Sequence, residues 1–546
     1  MSSREETQAG PFDRGLPAVF ELSRVNIFYL LLALTLCAGL FLRLRGYWGD
    51  FPLFDGGMFY VMIGDIQENG YRLPEFTAYN GGEVPFHYPP FAFYLAAVLD
   101  DAGFSRIAVM QALPALASAA TVGAVFLLAE PFLRSRWAAL SATFAFAVMP
   151  ETFSWMIVGG GLTRAMGFLF AVLALGQLYR MYTRPERRYV ALSALFVALT
   201  VLTHLEMTLF LALSAGVMFA FFGLNLDGVR RTAKVVVAAF VATAPWWGTL
   251  MVRDGLDPWL NTGSSRGILG EGSLRVLSHL NLTGQFFVDL LWPLALFCVV
   301  ICIMRREFFL PVWLLAIALL MPWVFTRLAS VPAALLIGSV LVAYAWSWLR
   351  AGMPGMRLRA PPPAWLAPGF VVVVVASSLM SGIEGNRHVL VTLSDDARRA
   401  MAWVEDNTSE SDRFLVVTGR PWYHDHAAEW FPALAGRESV ATIQGREWLG
   451  HFGDQVEMHR ELQACRDRDV ACLERWEVER LTGFTYVYVS RELPTDLEGR
   501  GVTECCGPLR DSLFASDGYR VAYQNSAATV FVRELQPAQE DVLAGR

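Results

Sequence analysis

The stretch that decides the fold runs from Arg45 to Pro90 and carries GDFPLFDGGMFY at residues 49–60 and YNGGEVPFHYPP at residues 79–90. It is rich in Gly, Pro, aromatic residues and carboxylates, and it follows the apolar run Val25–Leu44. Glycine and proline set turns, and aromatic rings with a polar edge settle at the boundary between membrane and water. The segment reads as a folded loop held against a membrane, and chemistry would sit there.

Outward from that loop, composition gives the class. The chain has 546 residues, is 55% hydrophobic and 17% charged, and has a mean hydropathy of +0.40. These values suit a multi-span membrane protein rather than a soluble one. A span needs about 20 apolar residues to cross roughly 30 Å of hydrocarbon. Candidates are Val25–Leu44, Ile107–Ala129, Trp137–Trp155, Leu162–Tyr182, Tyr189–Thr203, Leu205–Leu224, Val235–Val252, Gln285–Met304, Leu310–Thr326, Val331–Leu349 and Trp365–Ser381. The expected fold is therefore an α-helical polytopic membrane protein with about 11 transmembrane helices.

Residues 1–24 mix acidic and basic side chains and show no cleavage signal, so the first span is expected to stay as an anchor. Arg134 and Arg136, then Arg180, Arg184, Arg187 and Arg188, then Arg230, Arg231 and Lys234, then Arg305 and Arg306, then Arg350, Arg357 and Arg359 fall in alternate loops. The positive-inside rule places those loops in the cytoplasm. The expectation is a plasma (inner) membrane protein with a cytoplasmic tail at 1–24, a transmembrane region at 25–381 whose first external loop is 45–90, and an extracytoplasmic region at 382–546. One long helix from Tyr189 to Leu224 would invert every later loop. Two short helices are preferred, with Thr203-His204-Leu205-Glu206 as a polar tip sunk toward the outer surface.

The formal charge of −6 and pI near 5.8 argue against a nucleic-acid partner, which needs a basic face. Cys37, Cys298 and Cys302 lie in apolar spans and read as small buried hydrophobes. Cys465, Cys472, Cys505 and Cys506 lie in the tail, where an oxidising space favours disulfides; three pairings are open. The tail itself alternates helices and strands. A helix at Asp395–Asp406 capped by Ser394, strands at Phe414–Thr418, Ser439–Ile443, Thr485–Ser490, Arg520–Gln524 and Thr529–Arg533, and helices between them predict an α/β domain. No glycine-rich nucleotide fingerprint accompanies these strands, and APPPAW at residues 360–365 reads as a turn into the last span.

A large first external loop with an acid after span one, a short surface helix opening with Tyr88-Pro89-Pro90, many further spans and an exported C-terminal domain resemble the GT-C superfamily of glycosyltransferases. Protein O-mannosyltransferases and lipid A aminoarabinose transferases are members. The likeness of organisation covers nearly the whole chain; the likeness of motif is confined to Phe54-Asp55-Gly56 and His87-Tyr88-Pro89-Pro90. The family's loop motif is typically Asp-Glu, and Gly56 stands where the Glu would be. The resemblance implies a polyprenyl-phosphate-linked sugar as donor, a lipid, protein or polysaccharide acceptor, membrane lipids as surroundings, and Asp55 as the matching acid.

Transfer from a lipid phosphate needs one carboxylate to deprotonate the acceptor hydroxyl, and cationic or hydrogen-bonding groups to hold the phosphate. Asp55 is the candidate base; its plainer reading is a turn residue before Gly56-Gly57. Asp50 could share a divalent cation with Asp55, but a cap or turn is the preferred reading, and no metal ligand set is assigned. Four residues are candidates for substrate binding. His87 precedes the surface helix Phe91–Leu99, where it would otherwise be an interfacial polar residue. Arg164 follows Gly159-Gly160-Gly161 at a helix start, a place suited to an anion, with snorkelling as its alternative. His204 and Glu206 form the sunken tip, and polar groups at that depth have partners or a function; a mutual structural pair is the alternative. Arg253, His279 and Arg327 are weaker candidates. His424-Asp425-His426 lacks metal spacing and reads as a loop capping the Ala427 helix.

A secondary transporter would carry ionisable groups at the bilayer midplane, and these span centres are nearly free of charge. A non-catalytic polysaccharide-assembly protein would need no acid in the first loop. The glycosyltransferase reading is preferred over both.

Overall fold

A computed structural model describes residues 18–265, 290–351, 366–384, 390–492 and 505–534. His279, the turn at 360–365 and most of the tail at 1–24 lie outside the described residues. The helices Asn26–Tyr47, Arg106–Leu133, Gly161–Thr183, Leu205–Phe222 and Leu226–Asp254 are long and apolar enough to cross a membrane. A sixth crossing follows if Phe309–Leu320 and Pro322–Leu328, bent by 109°, form one span. Arg136–Val148 and Leu291–Met304 are apolar but shorter, at 13 and 14 residues, while Ser330–Ala351 and Leu366–Glu384 run to 22 and 19 residues. The sequence predicts about 11 crossings; among the described residues five helices, or six with the bent pair, have the length and composition for one.

The stretch from 187 to 222 is broken. Arg187–Val201 ends at Leu202, and Leu205–Phe222 starts after His204, whose backbone is extended. The surface helix Phe91–Asp101 begins against this break, with Phe91 N–H donating to Leu202 O at 2.9 Å. The second break, at Met321-Pro322, redirects the chain so that Arg327 comes to the functional site. Proline cannot continue the helical hydrogen bonding there, and Met321 adopts non-helical angles.

Two buried polar anchors fix the start of the loop. Arg43 ends the α-helical part of the first span, Ala18–Arg43, fully buried, donating to Ala147 O at 2.8 Å, Thr152 Oγ1 at 2.8 Å, Ser118 Oγ at 3.1 Å and Gly39 O at 3.1 Å. A buried guanidinium left short of partners would be strongly destabilising, so these bonds dictate where the first helix ends. Gln111 then donates to the carbonyls of Gly46, Gly49 and Phe51 at 3.3, 2.8 and 3.1 Å. Past the loop's acid, Gly57–Glu68 forms a helix, and a two-residue antiparallel pair, β1 (Phe76–Thr77) and β2 (Val84–Pro85), closes the segment.

A five-stranded sheet lies between residues 413 and 533, in the order β4-β3-β5-β7-β6. β3 (Arg413–Val417) runs parallel to β4 (Glu438–Ser439) and β5 (Tyr486–Ser490); β7 (Ala528–Arg533) is antiparallel to β5 and to β6 (Tyr519–Gln524). These strands fall on the predicted stretches, with β4 shorter than expected. Ser394 caps its helix through Ala397 N–H at 3.2 Å, and Asp425 caps His426–Ala435 through Ala428 N–H at 3.0 Å. The tail cysteines pair Cys465 with Cys472 and Cys505 with Cys506.

Candidate active site

Asp55 sits where three pieces of chain meet: its own loop, the Gly159-Gly160-Gly161 turn, and the helix His426–Ala435. Gly159 N–H donates to Leu53 O at 2.8 Å and Gly160 N–H donates to Asp55 Oδ1 at 2.7 Å. The approach is so close that a Cβ on Gly159 would lie 1.9 Å from Asp55 O, and one on Gly160 would lie 2.5 Å from Asp55 Oδ2. Glycine is required at both places by space alone. On the third side, Gly56 N–H donates to Glu429 Oε1 at 2.9 Å, and the Trp430 indole N–H donates to Phe54 O at 3.0 Å. Tyr79 O–H donates to Glu429 O at 2.7 Å.

Arg164, on the first turn of Gly161–Thr183, places Nη2 3.9 Å from Asp55 Oδ2, the two side chains being 18% and 20% exposed. Its Nη1 donates to Trp155 O at 2.7 Å. The Trp155 ring has Arg164 at 5.9 Å and Arg327 at 5.6 Å, and Phe54 packs edge-on at 5.5 Å. Arg327 donates to Glu206 Oε1 at 3.2 Å. His204 packs against the helix that carries Arg164: a Cβ on Gly167 would meet His204 Cβ at 2.8 Å. Gly167 lies three residues beyond Arg164, so both residues belong to one face of that helix.

The carboxyls of this site are shifted. Burial raises Asp55, opposed by the Arg164 charge and the Gly160 N–H. Burial pushes Glu429 well above the usual carboxylate range, and the Asp55 charge adds to that. Of the two, Asp55 has the guanidinium close by, with Arg164 Nη2 3.9 Å from its Oδ2.

The structure therefore brings Asp55, Arg164 and Glu206 into one neighbourhood, with His204 on the adjoining helix face. Glu206 takes Arg327 as an ion-pair partner at 3.2 Å. His87 is engaged elsewhere: its Nε2 is 2.9 Å from Asp254 Oδ2 and its ring packs against Trp448 at 5.4 Å. Arg253 donates to the carbonyls of Pro74 and Leu73 at 2.9 and 3.0 Å. Asp50 takes a hydrogen bond from Arg398. Among the described residues no three His, Cys, Asp or Glu side chains gather in one place.

Sequence reasoning did not name Glu429 or Trp155, and it gave less weight to Arg327, which the structure places over the same Trp155 ring as Arg164. Glu429 did carry a signal, being the single carboxylate in the otherwise apolar helix His426–Ala435.

No protein-family model matches the sequence, and no curated protein does. Solved structures do match in fold. The archaeal oligosaccharyltransferase AglB from Archaeoglobus fulgidus, in complex with an inhibitory peptide and a dolichol-phosphate, aligns with 86% of this chain and 70% of its own at 15% identity and a TM-score of 0.55. ArnT from Cupriavidus metallidurans, bound to undecaprenyl phosphate, aligns with 94% of this chain and 99% of its own at 14% identity and a TM-score of 0.50. The chain shares the fold of these two proteins, and five of its described helices are long and apolar enough to cross a membrane.

Proposed function

We propose that the protein is a membrane glycosyltransferase that moves a sugar from a polyprenyl-phosphate donor to a hydroxyl acceptor, with Asp55 as base. The observation that carries this reading is Asp55 itself, a partly exposed carboxylate held by Gly160 N–H beside Arg164 on a GT-C fold. Asp55 takes the acceptor's proton as the acceptor oxygen bonds to the anomeric carbon. The bond from that carbon to the phosphate oxygen breaks, and the electron pair leaves with the phosphate, which gains one negative charge. Arg164, with His204 and Arg327 beside it, faces that charge and strengthens its contact as the charge develops. The lipid tail runs along the apolar helices.

The finer organisation belongs to the same reading: about 11 crossings in an inner membrane, a cytoplasmic N-terminus, and residues 382–546 as an extracytoplasmic domain that closes over the acceptor side. On this reading Gly159 lies outside, and two crossings around His204 put Gly228 inside. A cysteine near Gly159 should react with an impermeant thiol reagent in intact cells and one near Gly228 should not.

The deciding experiment is Asp55→Asn in proteoliposomes, with native lipids from the purified protein read by mass spectrometry. Loss of transfer in folded protein, together with a co-purifying polyprenyl-phospho-sugar, is the expected result. Retention of most activity would remove Asp55 from the base role, and absence of transfer by the folded parent protein would favour the non-catalytic assembly reading.

A further inference from the structure

We propose that Glu429 is a positioning residue of the Asp55 site: it holds the single proton of a two-carboxyl pair, so that Asp55 stays free to accept the acceptor's proton. This rests on the transferase reading above and adds to it a part of the site supplied by the sheet-bearing region of the chain.

The geometry is specific. Glu429 is 6% exposed and its Oε1 accepts Gly56 N–H, the amide next to Asp55 in the chain. The same helix locks the loop a second time through the Trp430 indole on Phe54 O. A Cβ on Gly57 would meet Glu429 O at 2.7 Å, so the loop and the helix are in direct backbone contact. Glu429 is buried beside the amide that follows Asp55, and the Asp55 charge acts on it, so ionising Glu429 as well is disfavoured. The asymmetry of partners decides which keeps the proton. Asp55 has Arg164 at 3.9 Å and a backbone donor; Glu429 has a backbone donor and faces the Asp55 charge.

The surrounding groups support that assignment. Tyr79, on the turn beneath, donates its O–H to the Glu429 main-chain oxygen. Asp65, on the Gly57–Glu68 helix, accepts from Ala78 N–H at 3.2 Å. The helix Asp395–Asn407 buries Ala397, Ala400, Met401 and Val404, and the Arg413 of β3 is paired with Glu438 of β4 at 2.8 Å. On the residue's own helix, His426 is engaged by Arg420 at 2.7 Å and is held neutral by burial and by that guanidinium. The charges that act on Glu429 are thus Asp55, which favours its proton, and Arg164, which opposes it.

The test pairs kinetics with spectroscopy on the full-length protein. Glu429→Gln keeps a neutral acceptor for Gly56 N–H and removes the titration. It should lower transfer by only a few-fold while abolishing the alkaline limb of the kcat profile, which in the parent arises when the Glu429 charge adds to that of Asp55 and opposes the negative charge developing on the phosphate. Glu429→Ala leaves Gly56 N–H unsatisfied and should cost about five- to hundredfold in kcat, with donor KM within about twofold. Independently of transfer, the infrared spectrum of the parent minus Glu429→Gln at neutral pH should contain the C=O band of a protonated carboxyl. A carboxylate band in its place overturns the proposal, as does an alkaline limb that survives in Glu429→Gln or a Glu429→Gln protein as inactive as Asp55→Asn. If Asp55→Asn is fully active, the base role of Asp55 fails while the infrared result still reports where the proton is.

Discussion

The two ends of the first loop carry similar groups and use them in opposite ways. At the Asp55 end, carboxylate and guanidinium stand 3.9 Å apart, each with about a fifth of its side chain open. At the His87 end, imidazole and carboxylate are 2.9 Å apart, the imidazole side chain 4% exposed, with Trp448 against the ring and Tyr88 O–H bonded to Glu447. A pair closed to hydrogen-bond distance and covered by an indole is committed to holding chain to chain. A loose pair with a backbone donor on one side has capacity left for a ligand.

The largest test of that contrast is Asp55→Asn. General-base catalysis contributes about 10²–10⁴-fold, and the asparagine keeps the shape and the Gly160 N–H contact. Transfer should fall by that amount with thermal unfolding in detergent unchanged. A loss that tracks a drop in stability would make Asp55 a turn residue.

Next in size are the groups facing the phosphate. A charge-assisted contact is worth about 1.5–3 kcal/mol, or about one to two decades in catalytic efficiency. Arg164→Ala and His204→Ala should weaken donor use by that much and acceptor use far less. Arg253→Ala is the comparison, since its guanidinium already serves two carbonyls; it should change little. If Arg164→Ala and His204→Ala leave the donor dependence unchanged, the phosphate lies nearer Arg327, and Arg327→Lys tests that while keeping the Glu206 partner charged.

What the sequence made legible follows from how local each signal is. Asp55, the glycines at 159–161, the Ser394 and Asp425 caps and the strands are written in a few adjacent residues, and their local chemistry survives in the fold. Glu429 reaches Gly56 across 373 residues of chain, and no spacing rule spans that. Arg327 arrives by the bend at Met321-Pro322, visible in sequence only as a proline near the end of an apolar run. Trp155 is one of 17 tryptophans in a chain where aromatics at helix ends are ordinary. Its role comes from two guanidiniums converging on one ring. The cysteine pairing was open because spacing does not choose among partners; the structure joins each cysteine to its nearest neighbour in the chain.

At the His87 end the expected effect moves from rate to stability. His87→Ala removes a buried hydrogen bond and the packing on Trp448, which should cost about 1–3 kcal/mol of unfolding free energy in detergent, with donor KM within about twofold. A selective rise in donor KM at unchanged stability would return His87 to the substrate side of the site and break the contrast between the two ends.

The smallest effect belongs to Asp50, at the outer edge of the loop. Its carboxyl takes a hydrogen bond from Arg398, which holds it below the usual carboxylate range, yet two thirds of the side chain is exposed. A depressed carboxyl contributes stability above its unfolded-state pKa, and that contribution is lost as pH falls through the folded value. Solvent screening limits it here to about 0–1 kcal/mol. Asp50→Asn should therefore lower stability by no more than that at neutral pH, the difference from the parent should vanish on acidification, and transfer should be preserved with or without a chelator. The result that would count against this is a joint one: Asp50→Asn as inactive as Asp55→Asn, and a chelator that silences the parent protein. Both carboxylates would then be holding a cation, and the loose pair at Asp55 would be loose because a metal, rather than a phosphate, belongs between its partners.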